Sequence, residues 1–312
     1  MDNIRMNQNS ILRIQNLSKS FGNTRVLDDI SLTVPEGSVF GFIGQNGAGK
    51  TTTMKMVLGL LKPNSGEIFV CGEKVRYGMT ETNRHIGYLP DVPEFYTYMR
   101  PKEYLRLCGK ITGLDDREIK RRSDKLLELV GLHGVNKKIG LFSRGMKQRL
   151  GVAQALINEP KLLLCDEPTS ALDPVGRKEI LEILKQISGE TTVIFSTHIL
   201  SDVERICDRA AVLHGGKIVL DGTLAEIKAN HKRDSLRIEF SSETDKQRFL
   251  EKVPVEYLGR YGEPAQEITL HSGNVSGMER TALQILTQND ILPVRFELLV
   301  PGIENLFLEV VQ

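Results

Sequence analysis

The sequence predicts an α/β protein with a parallel-sheet core, followed by a smaller α+β unit. Three observations carry this. From about residue 160 onward, strand and helix patterns alternate through "KLLLCDE", "GRKEILEILKQI", "TVIFSTH", "LSDVERIC", "RAAVLH" and "GKIVLDG", which is how βαβ units read. Earlier, the continuous apolar run "GSVFGFIG" passes through a glycine-rich turn into "KTTTMKMVLGLL", a buried strand followed by a helix. Finally, beyond the polar stretch "AEIKANHKRDS", a helix running into a linker, short alternating segments begin again.

In chain order, "ILRIQNL" and "DISLTV" alternate with period two and read as half-buried strands. The helix "KTTTMKMVLGLL" is closed by Pro63 and the turn "PNSG". Three helices follow between residues 100 and 160: "PKEYLRLCGKI", "DREIKRRSDKLLELV" and "RGMKQRLGVAQALI". The domain boundaries expected are 1–230 and 235–312. In the second unit "SLRIEF" sets Leu236, Ile238 and Phe240 against Arg237 and Glu239, and Thr244 with Gln247 forms a capping-box pattern ahead of Phe249, Leu250 and Val253. With "VPVEYLG" as an intermediate strand, then "EITLHS", a helix opened by Ser276 and Glu279, and "VRFELLV", the order is βαββαβ. That order predicts a ferredoxin-like topology for 235–312. No catalytic constellation is visible there.

The 312 residues suffice for about two domains, and 40% hydrophobic with 26% charged residues is ordinary for a globular core. A formal net charge of +1 provides no electrostatic footprint for nucleic acid, and Lys120-Arg121-Arg122 and Lys137-Lys138 read as solvated faces. Cys71, Cys108, Cys165 and Cys207 lack CxxC spacing, so they predict reduced thiols rather than a zinc or disulfide framework. The opening "MDNIRMNQNS" lacks the apolar core of a signal peptide, and no apolar run has the length of a membrane span.

Residues 44 to 51, "GQNGAGKT", match G-x-x-x-x-G-K-[ST] between a predicted strand and helix. Gly44, Gln45, Asn46, Gly47, Ala48 and Gly49 let successive N–H groups turn inward on phosphate oxygens. Lys50 brings a charge to the β- and γ-phosphates, and Thr51, with Thr52 beside it, offers a hydroxyl to Mg²⁺. "LLLCDEP" then places Asp166 and Glu167 at the end of a buried strand, where adjacent carboxylates point in different directions. One is suited to bind magnesium and the other to polarise an attacking water. His198 closes the following strand, at the same sheet edge.

"LFSRGMKQRLG", residues 141 to 151, opens a helix with Ser143 and Gly145 and crowds Arg144, Lys147 and Arg149 into its first turns. A helix start with a free hydroxyl and uncommitted N–H groups predicts an anion site, although no phosphate loop adjoins it in the sequence.

The ordered set "GQNGAGKT", "FSRGMKQ", "CDEPTSALD" and "STH" resembles the ATP-binding subunits of ABC transporters over about residues 10 to 230. The spacing fits, with Ser143 93 positions after Lys50 and Asp166 23 after Ser143. The resemblance implies a P-loop NTPase domain with an antiparallel β subdomain, a parallel-sheet core and a helical subdomain, binding ATP and Mg²⁺. It implies Asp166 as the magnesium acid, Glu167 as general base and His198 as the γ-phosphate switch. It also implies that Asp173 of "SALD" joins two copies and that Phe21 of "SKSFG" stacks on adenine. In such proteins two domains close head to tail, so Ser143 and the N–H of Gly145 would meet the γ-phosphate held by the neighbour.

Two residues depart from the family pattern. "FSRGM" stands for "LSGGQ", leaving Arg144 facing either nucleotide or solvent, and Asp91 replaces the glutamine after the "GYLP" strand. Asp91 is either a shorter, charged contact to magnesium or a turn-forming aspartate before Val92-Pro93. "IGYLPDVPEFY" with "SRGMKQRL" resembles the bacterial drug and antibiotic exporter branch, in which the permease is a separate chain. The expectation is therefore an ATPase on the cytoplasmic face of the cell membrane, paired with a second ATP-binding subunit. A permease would dock near Asp91 and the aromatic stretch "PEFYTYM". The rival reading is a soluble ABC ATPase acting on ribosomes or DNA. Against it, the phosphate loop and signature leave no room for a coiled-coil insertion, and the chain carries one cassette.

Overall fold

The computed structural model describes residues 10–79, 81–229, 235–258 and 266–299. The chain divides into two compact units at the junction of Leu224 and Ala225. In the first, β1 (Ser10–Phe21) and β2 (Thr24–Pro35) form an antiparallel hairpin whose alternating residues, Ile14, Leu17, Leu27, Ile30, Leu32 and Val34 among them, are buried. After β3 (Val39–Ile43) and α1 (Lys50–Val57), β4 (Ser65–Val70) and β5 (Glu73–Lys74) complete a four-stranded sheet in the order β2-β1-β4-β5.

The second sheet contains β6 (Ile86–Leu89), β7 (Leu162–Asp166), β8 (Thr192–Thr197), β9 (Arg209–His214) and β10 (Lys217–Thr223) together with β3, in the order β10-β9-β3-β8-β7-β6. Every pairing is parallel except that of β10 with β9. All residues of β3, β7 and β8 are buried, which explains why these strands read as continuous apolar runs. Parallel pairing has a functional consequence, since the carboxyl ends of β3, β6, β7 and β8 all finish at one edge.

The helical segment comprises α2 (Pro101–Ile111), α3 (Asp116–Leu129) and α4 (Arg144–Leu156), with the boundaries the periodicity predicts. Each start has a local cause. Pro101 opens α2 and Glu103 reaches back to accept the N–H of Arg100 at 2.8 Å, while Asp115 caps α3 by accepting from Glu118 N–H at 2.8 Å. The later helices of the first unit are α5 (Pro174–Ile187) and α6 (Leu200–Ile206), and α7 (Leu224–Ala229) begins at the junction of the two units. No helix among the described residues is long and apolar enough to cross a membrane.

The second unit contains β11 (Ser235–Phe240), α8 (Glu243–Leu250), β12 (Glu267–His271), α9 (Val275–Gln288) and β13 (Pro293–Leu299). Its antiparallel sheet has the order β12-β11-β13. Leu236, Ile238 and Phe240 form its core with Phe249, Ile268, Leu270, Met278, Ala282, Ile285 and Leu286. Three of the four strands of the expected ferredoxin-like order are present, as β-α-β-α-β, but the intermediate strand expected from "VPVEYLG" is not formed. Val255–Tyr257 is a 3₁₀ turn, and Leu258 contributes one antiparallel bridge to Leu270. Pro254 lacks an N–H, and the donors of Tyr257 and Leu258 are used within the turn, bonding Pro254 O and Val255 O. Gly259, like residues 230–234 of the expected linker, lies outside the described residues.

Both helix starts in this unit differ from expectation. Ser242, not Thr244, caps α8 by accepting from Asp245 N–H at 3.1 Å, because β11 ends at Phe240 and leaves room for only one connecting residue. Asn274 caps α9 through Gly277 N–H at 3.1 Å, which places Ser276 inside the helix.

One close approach sets the distance between the sheet and the helical segment. A β-carbon on Gly87 of β6 would lie 2.2 Å from the carbonyl oxygen of Ala155 in α4, so only glycine allows these backbones to meet. Gly87→Ala is expected to cost about 1–3 kcal/mol through overpacking, measured as a lower denaturation midpoint. A midpoint equal to that of the wild type would mean that α4 is not held against β6.

Candidate active site

The loop from Gly44 to Gly49 leaves the end of β3 and turns into α1. Gly49, the residue before α1, has φ 110°, and a β-carbon there would lie 2.7 Å from Leu27 Cδ2. Both facts demand glycine. Lys50 is buried, and its Nζ donates to Gly44 O at 2.6 Å and Gln45 O at 3.2 Å. It also lies 3.1 Å from Glu167 Oε1. A buried ammonium is tolerable here because three oxygens surround it.

Thr51 Oγ1 donates to Asp166 Oδ2 at 2.6 Å, and Ser196 Oγ donates to Asp166 Oδ1 at 2.6 Å. Ser196 also holds the next residue, since Glu167 N–H bonds Ser196 O and Oγ, each at 3.1 Å. Glu167 adopts φ 47°, a left-handed conformation that costs a non-glycine residue of order 1–3 kcal/mol. Its Oε2 lies 2.9 Å from His198 Nδ1. The carboxylate thus stands between the lysine and the histidine.

These groups line a cleft of about 340 Å³ together with Asn46, Gly47, Gly49, Thr52, Asp91 and Ser170. Asp91 Oδ1 is buried without a hydrogen-bond partner. Thr51, Asp166 and Asp91 form an oxygen-only set suited to a hard divalent cation. Among the described residues no three acidic, histidine or cysteine side chains converge as a self-sufficient metal site. A divalent cation held by this set would complete its shell with the oxygens of a bound phosphate. Nearby, burial and then the charges of Asp166, Cys165 and Asp91 push the Tyr88 phenol up to about 12, so it stays neutral. Burial likewise raises the Cys165 thiol, an unreactive packing residue.

Of the residues singled out in the sequence, Gly44, Gln45 and Ala48 of the loop, and Phe21, Ser143, Gly145 and Asp173 elsewhere, do not line this cleft. Phe21 is 49% exposed at the end of β1, with Lys19 Nζ 4.9 Å from its ring centroid. Asp173 caps α5, accepting from Gly176 N–H at 3.2 Å. Ser143 caps α4, so its hydroxyl is not free as expected; Oγ accepts from Met146 N–H at 3.3 Å and retains its proton for donation. Gly145 borders open space. Arg149 turns away from the helix start to Val130 O, at 3.3 Å. Sequence reading missed Ser170 and Ser196. The signal for Ser196 was a hydroxyl directly after the apolar run Val193–Phe195 in "TVIFSTH".

A strand, glycine loop and helix presenting Lys50, with an acid pair at the end of a parallel strand one removed in the same sheet, define a P-loop ATPase. A family model described as ABC transporter matches residues 27–170. The chain is 37% identical over 306 residues to the uncharacterised ABC transporter ATP-binding protein YxlF of Bacillus subtilis (strain 168), covering 96% of this chain and 99% of that protein. It is 41% identical over 236 residues to the bacitracin transport ATP-binding protein BcrA of Bacillus licheniformis, covering 74% of each. A solved ATP-binding subunit of an ABC transporter superposes with TM-score 0.65 at 34% identity, over 71% of this chain and 93% of that one. The chain belongs to the ABC transporter ATP-binding proteins, the family that binds ATP and hydrolyses it to power transport.

Ser196→Ala would leave Asp166 Oδ1 without its buried donor. A stability loss of about 1–3 kcal/mol is expected from that unsatisfied group, checked by chemical denaturation. An unchanged free energy of unfolding would remove Ser196 from this network.

Proposed function

We propose that this chain is the ATP-hydrolysing subunit of an exporter for an antibiotic, drug or similar small molecule, acting as two identical copies beneath a separate permease at the cytoplasmic face of the membrane. The observation that carries the reading is the convergence of Lys50, Thr51, Asp91, Asp166, Glu167 and His198 at the carboxyl edge of one parallel sheet. An antibiotic cargo is supported by the bacitracin transport ATP-binding proteins of Bacillus licheniformis and Enterococcus faecalis, 41% and 39% identical to this chain, and export by the Nod factor export ATP-binding protein I of Cupriavidus metallidurans, 38% identical over 220 residues.

In this reading the Gly44–Gly49 loop wraps the phosphates with its N–H groups and Lys50 neutralises the β- and γ-phosphate charge. Thr51 and Asp166, with Asp91 beside them, would hold Mg²⁺, which supplies charge neutralisation to the departing phosphate oxygens. Glu167 takes the proton of the attacking water. His198, bonded to Glu167, orients that carboxylate and contacts the γ-phosphate. Phe21 stacks on adenine. Ser143, Gly145 and Asp173 serve the cleft of the second copy, consistent with their position off their own.

Two predictions follow from these assignments. Glu167→Gln retains shape but removes the base, so turnover should fall ~10²–10⁴-fold while ATP binding persists. Gel filtration with ATP should then show a trapped dimer. Turnover within twofold of wild type would exclude Glu167 as base.

The second concerns the permease. Phe95 is half-buried and packs edge-on against Tyr104, with ring centroids 5.1 Å apart. Tyr96 and Tyr98 are 53% and 64% exposed and offer the docking anchors. Tyr96→Ala with Tyr98→Ala should remove contacts worth about 2 kcal/mol or more and release the chain from membranes while ATP binding is kept. Unaltered membrane recruitment and transport would place the docking surface elsewhere.

A further inference from the structure

Asp202 is a carboxylate whose burial the nucleotide cleft does not explain. It lies in the first turn of α6, is 3% exposed, and does not line the cleft. Its two oxygens are each taken by a different element. Thr169 Oγ1 donates to Oδ2 at 2.7 Å, and Arg177 Nη2 donates to Oδ1 at 2.7 Å.

The chain positions of these donors are informative. Thr169 is wholly buried, two residues beyond Glu167 and one before Ser170, which lines the cleft. Arg177 stands in the first turn of α5, where its N–H bonds Asp173 O at 2.9 Å. Asp202 therefore grips both ends of the connection that runs from Glu167 to Asp173. That connection is under backbone strain, because Glu167 and Ala171 both adopt left-handed conformations, φ 47° and 51°. Such conformations persist only where the surroundings over-determine them. Two short turn bonds, Ser170 N–H to Glu167 O at 3.0 Å and Leu172 N–H to Thr169 O at 3.3 Å, close the loop on itself but tie it to nothing else.

Ser196 anchors the Glu167 end from outside, and Asp202 supplies the anchor for the rest of the connection. Asp202 is four residues past His198, and its helix is seated on the central sheet, where a β-carbon on Gly41 would lie 2.9 Å from Val203 Cγ1. One buried carboxylate thus joins the segment bearing Glu167 to the segment bearing His198, whose side chains meet at 2.9 Å.

We propose that Asp202, acting through Thr169 and Arg177, is a positioning residue for hydrolysis, setting the Glu167 carboxylate and the Ser170–Asp173 loop in register with His198. The inference rests on the reading of Glu167 as general base. Neither Asp202 nor Thr169 lines the cleft, so their loss should act on the chemical step and not on ATP affinity. A displacement of about 1 Å at a reacting group costs ~10²-fold in rate, and partial loosening of the clamp is expected to cost about tenfold or more.

The experiment measures steady-state and single-turnover ATP hydrolysis in the full chain, with a fluorescent ATP analogue reporting binding. Thr169→Val, close in shape but without the hydroxyl, should lower kcat about tenfold with KM and analogue affinity within twofold of wild type. Thr169→Ser, which keeps the hydroxyl, should restore most of the rate. In a Glu167→Gln background the Thr169→Val loss should vanish, because a positioning residue has nothing left to position. A generally destabilising change would instead cost the same factor in both backgrounds. The same measurements on Arg177→Gln, at a partly exposed position, decide the matter if Thr169→Val does not fold.

A kcat within twofold of wild type in the folded variant, or an undiminished loss in the Glu167→Gln background, overturns the proposal. If Glu167→Gln alone retains wild-type turnover, the general-base reading fails instead, and the two failures are told apart by that single variant.

Discussion

The carboxylate of Asp166 is 3% exposed, and a charge so placed persists only with donors on both oxygens. Thr51 and Ser196 supply them, one from the first turn of α1 and the other from the end of β8. That requirement joins α1, β7 and β8 at one point. The register that brings Asp166 opposite Ser196 also places Ile43 opposite Thr197, so the phosphate loop, the acid pair and His198 leave the sheet at one level. The cleft is a consequence of parallel pairing, and its polar wall is held by the partners of a single buried acid.

Around this centre the structure separates chemistry from coupling. Lys50, Thr51, Glu167 and His198 are linked by contacts of 3.2 Å or less through Asp166 and Glu167. Ser143 and Gly145 belong to the helical segment, which meets the sheet where Gly87 allows close passage of α4. Tyr104 on α2 donates to Gln154 of α4 at 2.8 Å and carries Phe95 against its ring. The aromatic stretch after Asp91 and the signature helix are therefore parts of one packed group, and exposed Tyr96 and Tyr98 extend from it. A partner pressing on those tyrosines would act on the helix that bears Ser143.

The second unit has its own core, with Phe240 and Phe249 at a ring-centroid separation of 5.3 Å. Its charged residues on β11, Arg237 and Glu239, pair across strands with Glu267 and Arg295, and such pairs at a surface add little stability. The unit is held by its apolar face.

Much of this was legible in the sequence because it is local. Buried parallel strands read as unbroken apolar runs, helices α2, α3 and α4 as 3.6-residue periodicity, and the phosphate loop as a spacing that only glycine can trace. Thr51, Asp166, Glu167 and His198 were identifiable because each sits at a strand end or helix start that the pattern itself marks. Competing local signals were less decisive. Ser242 and Thr244 are both plausible caps, and the position at which β11 stops selects the first. "VPVEYLG" alternates like a strand, yet the donors of Tyr257 and Leu258 go to a turn behind Pro254. What the sequence by itself determined was the set of elements and the residue types needed for phosphate chemistry, since these follow from period and side-chain chemistry along a few neighbouring positions. What only the tertiary structure decided was which distant polar groups satisfy one another: Ser196 with Asp166, Thr169 and Arg177 with Asp202, Gly87 beneath Ala155. Those pairings join residues 25 to 68 positions apart; they arise from strand order and the demand that every buried charge find its donors, which no local pattern records.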